Sequence, residues 1–120
     1  MQREPGDGMI GPPMKYYALA EIDVTDPSWV REYVERVTAM VERRGGRYLA
    51  RTGQAERVEG ERVAAGTYLI IEWPSKQAAN EFYSSEEYRP YREQRRRGAR
   101  NEFVLVAGED ATGAARMGDQ

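Results

Sequence analysis

Apolar and polar residues alternate from Tyr16 to Val24, with Tyr16, Ala18, Ala20, Ile22 and Val24 on one side and Tyr17, Leu19, Glu21 and Asp23 on the other. That period of two predicts a β-strand. The period then lengthens. Asp26 is suited to accept hydrogen bonds from the unpaired amides that open a helix, and Pro27 sits where a missing donor costs nothing. Val30, Tyr33, Val34, Val37, Met40 and Val41 recur at steps of three and four, which predicts an amphipathic helix running to Arg44. Gly45-Gly46 closes it, since glycine accepts the left-handed turn that follows a helix.

Arg47 to Thr52 reads as a second strand that breaks at Gly53. Gln54 to Val58 is expected to extend it past a bulge, with Glu59-Gly60-Glu61 as the hairpin tip. Thr67 to Trp73 is β-branched and aromatic, hence a strand, and Pro74 stops it. Ser75 caps a short helix that carries Ala78, Ala79, Phe82 and Tyr83 on one side. Ser84-Ser85-Glu86-Glu87 has the spacing of a capping box and predicts a further helix from about Ser85, with Tyr88, Tyr91 and Arg95 on one face. Gly98 ends that helix, and Glu102 to Ala107 forms the last strand.

Strand, helix, strand, strand, helix, strand is the order of an α+β, ferredoxin-like βαββαβ domain: a four-stranded antiparallel sheet with its helices on one face. The domain is expected over residues 14–108. Residues 1–13, rich in glycine and proline, are expected as a flexible extension, and residues 109–120 as a flexible tail. Leu69, Ile71 and Trp73 alternate with Tyr68 and Ile70, so both sheet faces are apolar near the middle, while the helices cover one. The bare face predicts a homodimer joined through the sheet, since patches of this kind, roughly several hundred Å², mark interaction sites.

Composition narrows the chemistry. A chain of 120 residues supports one core. The absence of histidine and cysteine removes the usual neutral-pH proton carrier, thiol nucleophiles and the common zinc sites. No phosphate loop, dinucleotide fingerprint or nucleophile elbow occurs, and no cofactor is expected. The run Tyr68 to Ile71 is far shorter than a membrane span. With no secretory signal and no cysteine, the cytoplasm is the expected location. A net charge of −2 argues against nucleic acid as a partner. All basic residues but Lys15 and Lys76 are arginine, and Arg95, Arg96, Arg97 and Arg100 form a local basic knot. It reads as a solvated helix end opposing the helix dipole, with nucleic-acid binding as the competing reading.

Several blocks carry a resemblance: Lys15-Tyr16-Tyr17, Val24 to Pro27, Gly45 to Arg51, Glu56 to Glu61, Ile71 to Ser75 and Tyr83 to Tyr88. In these the chain resembles an uncharacterised bacterial family, number 1330 among the domains of unknown function, within the dimeric α+β barrel superfamily. The resemblance implies the fold and the dimer. Superfamily relatives include cofactor-independent monooxygenases, lactone isomerases and haem enzymes, with ligands between sheet and helices. Haem held by a proximal histidine is excluded here by composition.

Arg51 and Glu72 are the leading charged candidates, each at or near a strand end. A partly buried Arg51 would hold a carboxylate or enolate, and a desolvated Glu72 would have its pKa lifted enough to serve as a general base. The competing reading is an ion pair or solvated strand ends. Tyr17, Tyr48, Tyr83 and Tyr88 are candidates to line a pocket and aim phenols at a polar ligand, against the plainer reading of core residues with wet tips. Phe82 and Tyr83 are expected in the core, Trp29 and Trp73 in packing, and the arginines on a solvated face. Three functions compete: a metal-free pocket that binds or transforms a small polar or aromatic acid, by acid/base or cofactor-independent oxygenase or isomerase-like chemistry; a noncatalytic dimeric binding module; and nucleic-acid binding through Arg95 to Arg100. Chromatography on heparin separates the last from the others, and no salt-dependent retention is expected.

Overall fold

The computed structural model describes residues 14–115. Strand β1 (Tyr16–Val24) leads through a single 3₁₀ turn (Pro27–Trp29) into helix α1 (Val30–Arg43). Strands β2 (Arg47–Thr52) and β3 (Thr67–Trp73) follow, then helices α2 (Lys76–Tyr83) and α3 (Arg89–Gly98) and strand β4 (Ala99–Ala107). All pairings are antiparallel and the sheet order is β2-β3-β1-β4, the ferredoxin-like arrangement. Residues 1–13, assigned from the sequence to an extension, lie outside the described residues, as do the last five of the tail. Within the tail that is described, Asp110 gathers the amides of Thr112 at 2.9 Å and Ala115 at 2.8 Å into a turn.

The core lies between the sheet and the helices. Ala18, Ala20 and Ile22 of β1 and Leu69, Ile71 and Trp73 of β3 are buried against Val37, Met40 and Val41 of α1 and Ala79 and Phe82 of α2. Across the helix layer runs a chain of rings. Trp73 stacks on Phe82 at 5.4 Å, Phe82 on Tyr88 at 4.3 Å, Tyr88 meets Tyr33 at 6.2 Å, and Tyr33 meets Trp29 edge-on at 5.1 Å. Ring pairs of this kind add about 0.5–1.5 kcal/mol each beyond the area they bury.

Local chemistry corrects the sequence reading at several points. The segment after Gly53 is an irregular loop reaching to Gly66 rather than a continued strand, and the bulge falls earlier, between Tyr48 and Ala50. The capping box does not form. Two guanidinium groups at the end of α1 hold the Glu87 carboxylate, Arg43 at 2.7 Å and Arg44 at 2.9 Å, so it does not turn back to a backbone amide. It is Ser85 whose hydroxyl accepts from the Tyr88 amide, at 3.3 Å, and the helix starts at Arg89. Strand β4 begins at Ala99, earlier than expected, because its register with β1 extends to Val24. Tyr83 is 41% exposed and is not core. Arg95, expected in solvent, is 1% exposed, whereas Arg96, Arg97 and Arg100 are exposed as read.

The start of the α1 crossover is tied to the end of α3 by one carbonyl. Gly98 O accepts from the amides of Thr25 at 2.8 Å and Asp26 at 3.1 Å and from the Trp29 indole at 3.2 Å. Asp26 in turn accepts from the Ser28 amide at 3.0 Å, and that bond holds its carboxyl below the usual range. A side chain at position 98 would collide with the Trp29 indole nitrogen. Gly98→Ala is expected to destabilise the fold by about 1–3 kcal/mol, read as a lower urea midpoint at fixed protein concentration.

Candidate functional site

The strand register sorts the candidate residues onto two faces. On the helix face, Tyr48 pairs with Ile71 and Arg51 with Leu69. On the opposite face, Tyr17 and Arg47 both pair with Glu72. Strict alternation along β2 would put Arg47, Leu49 and Arg51 together. The bulge at Leu49 inserts one residue and turns Arg51 through to the helix side. Arg51 and Glu72 are therefore on opposite sides of the sheet, and the anion-holder and base expected as partners are not brought together.

Glu72 belongs to an ionic cluster on the open face. One carboxylate oxygen meets Arg47 at 3.3 Å; the other meets Lys15 at 3.4 Å and the Tyr17 hydroxyl at 3.3 Å. Partial desolvation pulls its pKa upward. The hydrogen bond and charge of Lys15, the charge of Arg47 and the Tyr17 hydroxyl outweigh that pull, and the carboxyl is held below its ordinary 4.5. This reverses the lifted pKa expected for a general base. Near neutral pH the group is ionised, neutralised and structural in its surroundings.

A cavity of about 480 Å³ opens on the other side, between the sheet and the helices. Its walls are apolar and aromatic: Ile22, Leu69 and Ile71 from the sheet, Val30, Val34 and Val37 from α1, and the rings of Trp29, Trp73, Phe82 and Phe103. Four of the expected pocket residues line it, namely Arg51, Tyr48, Tyr83 and Tyr88, whereas Tyr17 does not. Arg51 stands at the rim, donating to the Thr38 hydroxyl at 2.9 Å with its guanidinium 4.1 Å above the Tyr48 ring. Burial raises the pKa of the Tyr48 phenol against the opposing charge of Arg51, so the hydroxyl stays protonated. Tyr83 flanks the opening, with the Arg92 guanidinium 5.4 Å over its ring. Trp29 and Trp73, assigned from the sequence to packing, pack and line the cavity at once.

Two residues that set the polarity at this wall, Tyr33 and Arg95, were not among the pocket residues expected from the sequence. Tyr33 of α1 and Tyr88 at the start of α3 face one another, hydroxyl to hydroxyl, at 2.7 Å. Behind them Arg95 donates from Nε to the Tyr33 oxygen at 3.1 Å and from Nη2 to the Tyr88 oxygen at 3.2 Å, its guanidinium 4.3 Å over the Phe103 ring. Among the described residues no carboxylate pairs with Arg95. Burial drives the Tyr33 pKa well above its ordinary value, with the neighbouring Tyr88 acting in the same sense. The Tyr33 phenol is therefore a neutral donor at physiological pH. The available signal was spacing: Tyr88 and Arg95 are seven apart on one helical face, and Tyr33 lies in the apolar stripe of α1. Among the described residues no cluster of three or more acidic, histidine or cysteine side chains is placed to hold a metal ion.

Fold and cleft together define a ferredoxin-like α+β domain with a ligand-sized cavity on the helix side of its sheet. The chain belongs to the family of domains of unknown function DUF1330, whose model matches residues 15–109. Among solved structures it is similar to a protein of unknown function from Rhodopseudomonas palustris, with a TM-score of 0.67 at 15% identity, covering 81% of this chain and 84% of that one. It is also similar to SnoaB, a cofactor-independent oxygenase from Streptomyces nogalater, with a TM-score of 0.58 at 17% identity, covering 81% and 95%. At these identities the likeness is one of fold. A comparison with curated proteins finds no match. No helix among the described residues is long and apolar enough to cross a membrane.

The Glu72 cluster has a pH signature. A carboxyl depressed in the folded state contributes stability that is present above its unfolded value and lost as pH falls through its folded value. The stability difference between the native chain and Glu72→Gln is therefore expected to be constant at neutral pH and to shrink as pH drops below 4.5. Urea unfolding of both chains over that range measures it.

Proposed function

We propose that the protein binds a small aromatic molecule in the cleft between sheet and helices, and does so as a cytoplasmic homodimer joined through its open sheet faces. The observation that carries this reading is the cavity itself. Its volume of about 480 Å³ lies within the span of small-molecule sites, and ring-lined walls with a few convergent polar groups are their usual form. Arg51, Asn80, Thr67 and the phenols supply donors along an otherwise apolar wall, and among the described residues no carboxylate lines it. Such a lining holds an electron-rich ligand and favours its anion, but it has no group suited to take a proton from carbon near neutral pH. Any reaction here draws on the reactivity of the ligand, and the fold likeness to a cofactor-independent oxygenase supports that direction. The same donor-only lining also favours a second reading, a noncatalytic module that holds its ligand unchanged.

The dimer is supported by the open face. Leu19 faces Ile70 and Val104 across the sheet, with Val106 beyond, and Val104 is 55% exposed. The Glu72 cluster and the Glu21 carboxylate, which meets Arg62 at 2.8 Å, lie beside this apolar strip. An apolar centre with a polar rim is the anatomy of a protein interface.

Binding is read with 2-naphthol as probe, through quenching of Trp29 and Trp73, which both line the cavity. Saturable quenching is expected in the native chain. Val34→Trp places bulk at a half-exposed wall position and is expected to weaken the probe by about tenfold or more with the urea midpoint little changed. Equal affinity in the two chains would contradict the cleft as the site. Native mass spectrometry is expected to give twice 13.7 kDa for the native chain and a monomer for Leu19→Arg.

A further inference from the structure

The hydrogen bonds around Tyr33 and Tyr88 leave one proton over. Each phenol carries one hydrogen. Both oxygens already accept from Arg95, through Nε and Nη2, and a guanidinium has no acceptor, so it takes none of the phenol protons. The 2.7 Å contact between the hydroxyls consumes one phenol hydrogen, whichever ring donates it. The second has no acceptor among the hydrogen bonds of the described residues. Both rings line the cavity, which is where that hydrogen is free to point.

Charge is unbalanced at the same place. Arginine stays protonated in proteins, and a buried charge without a counterion costs several kcal/mol. Arg95 is 1% exposed and faces two phenol oxygens and the ring of Phe103. Its partners pass the charge on: a phenol whose oxygen accepts from a guanidinium is a stronger donor through its own hydrogen. Among the described residues no carboxylate or lysine lines the cavity, and the other titratable groups that do are Arg51, Tyr48 and Tyr83. A negative atom at the phenol pair would meet only donors.

We propose that Arg95, Tyr33 and Tyr88 form an oxyanion receptor at the wall of the cleft, and that the ligand class is an aromatic hydroxyl or enol bound as its conjugate base. The proposal rests on the cleft being the binding site and adds the charge and orientation of what it takes. The single leftover phenol hydrogen selects a one-oxygen anion over a carboxylate, because the Nε–Nη2 edge of the guanidinium is turned to the phenols and is not offered to the ligand as a fork. The aromatic body of the ligand then lies among the apolar side chains of α1 and the sheet. The proton lost by the ligand leaves to solvent, so the receptor acts without a base of its own.

The test uses 4-nitrophenol, whose colour reports its ionisation, beside its methyl ether 4-nitroanisole, which has the same shape and no anion. In the native chain the phenolate is expected to bind at least about tenfold more tightly than the phenol, lowering the apparent pKa of the bound probe by about one unit or more. Arg95→Met is expected to abolish that preference while 4-nitroanisole binding persists, and Arg95→Lys to restore part of it. Tyr33→Phe and Tyr88→Phe each leave one phenol whose hydrogen is freed from the pair, so each single variant keeps a preference and the double variant loses it. A purely structural node would lose stability in all of these variants without this order. If the native chain binds both probes and shows no preference for the phenolate, the receptor is overturned and the cleft stands. If neither probe binds, the cleft reading fails and the receptor with it. The native-chain comparison is independent of whether any variant folds.

Discussion

A buried guanidinium that meets no carboxylate among the described residues organises the helix side of this protein. Arg95 comes from α3, Tyr33 from α1, Tyr88 from the turn that joins α2 to α3, and Phe103 from β4. One side chain thus fastens three segments of the helix layer to the edge of the sheet. The Gly98 carbonyl, three residues further on, ties the end of α3 to the entry of α1 through three donors. The stacked rings carry the same connection inward, from Tyr88 through Phe82 to Trp73. With α1 held at this end by Tyr33 and at the other by Val41 against Trp73, the middle of the helix spans the sheet without filling the space below it. The cavity is the consequence of two firm anchorages with small valines between them.

The two sheet faces divide the work. The open face carries paired charges, with Glu72 neutralised by Lys15 and Arg47 and Glu21 by Arg62, beside a strip of exposed aliphatic residues. Exposed pairs of this kind contribute little stability, about 0–1 kcal/mol each, and act more as register and specificity marks. The helix face carries the reverse arrangement: among the described residues its Arg51 and Arg95 meet hydroxyl groups and rings and no carboxylate. The open-face carboxylates are satisfied by cations, and the cleft is left lined by hydrogen-bond donors. This contrast directs attention to the cleft and away from Glu72 as the seat of any chemistry.

Much of this was legible in the chain. Alternation from Tyr16 to Val24 and from Thr67 to Trp73, the α1 stripe, and the stops at Gly45-Gly46, Pro74 and Gly98 carry the element order and with it the fold, because each is a local backbone effect or a simple period of two or of three to four residues. The site was legible in part. Arg51, Tyr48, Tyr83 and Tyr88 reach the cavity, but Arg51 does so only through a bulge that no residue type announces. Glu72 lies on the open face by plain alternation along β3, and it is the bulge in β2 that sends Arg51 to the other side and parts the two. Arg95 was hidden in a basic run with Arg96 and Arg97, and composition cannot say which of three neighbouring arginines turns inward. That is decided by Tyr33, 62 residues earlier, and by Phe103 on the following strand. Glu87 had the spacing of a capping residue and was drawn away by Arg43 and Arg44, a contact set by tertiary packing.

The most direct measurement of the central claim is a crystal structure of the protein with 4-bromophenol, the bromine located by its anomalous scattering. The account predicts one molecule in the cleft, its oxygen within hydrogen-bonding distance of the Tyr33 and Tyr88 hydroxyls and its bromine pointing away among the α1 valines. Bromine seated against the two phenols, or a molecule bound only on the Glu72 face, would contradict it.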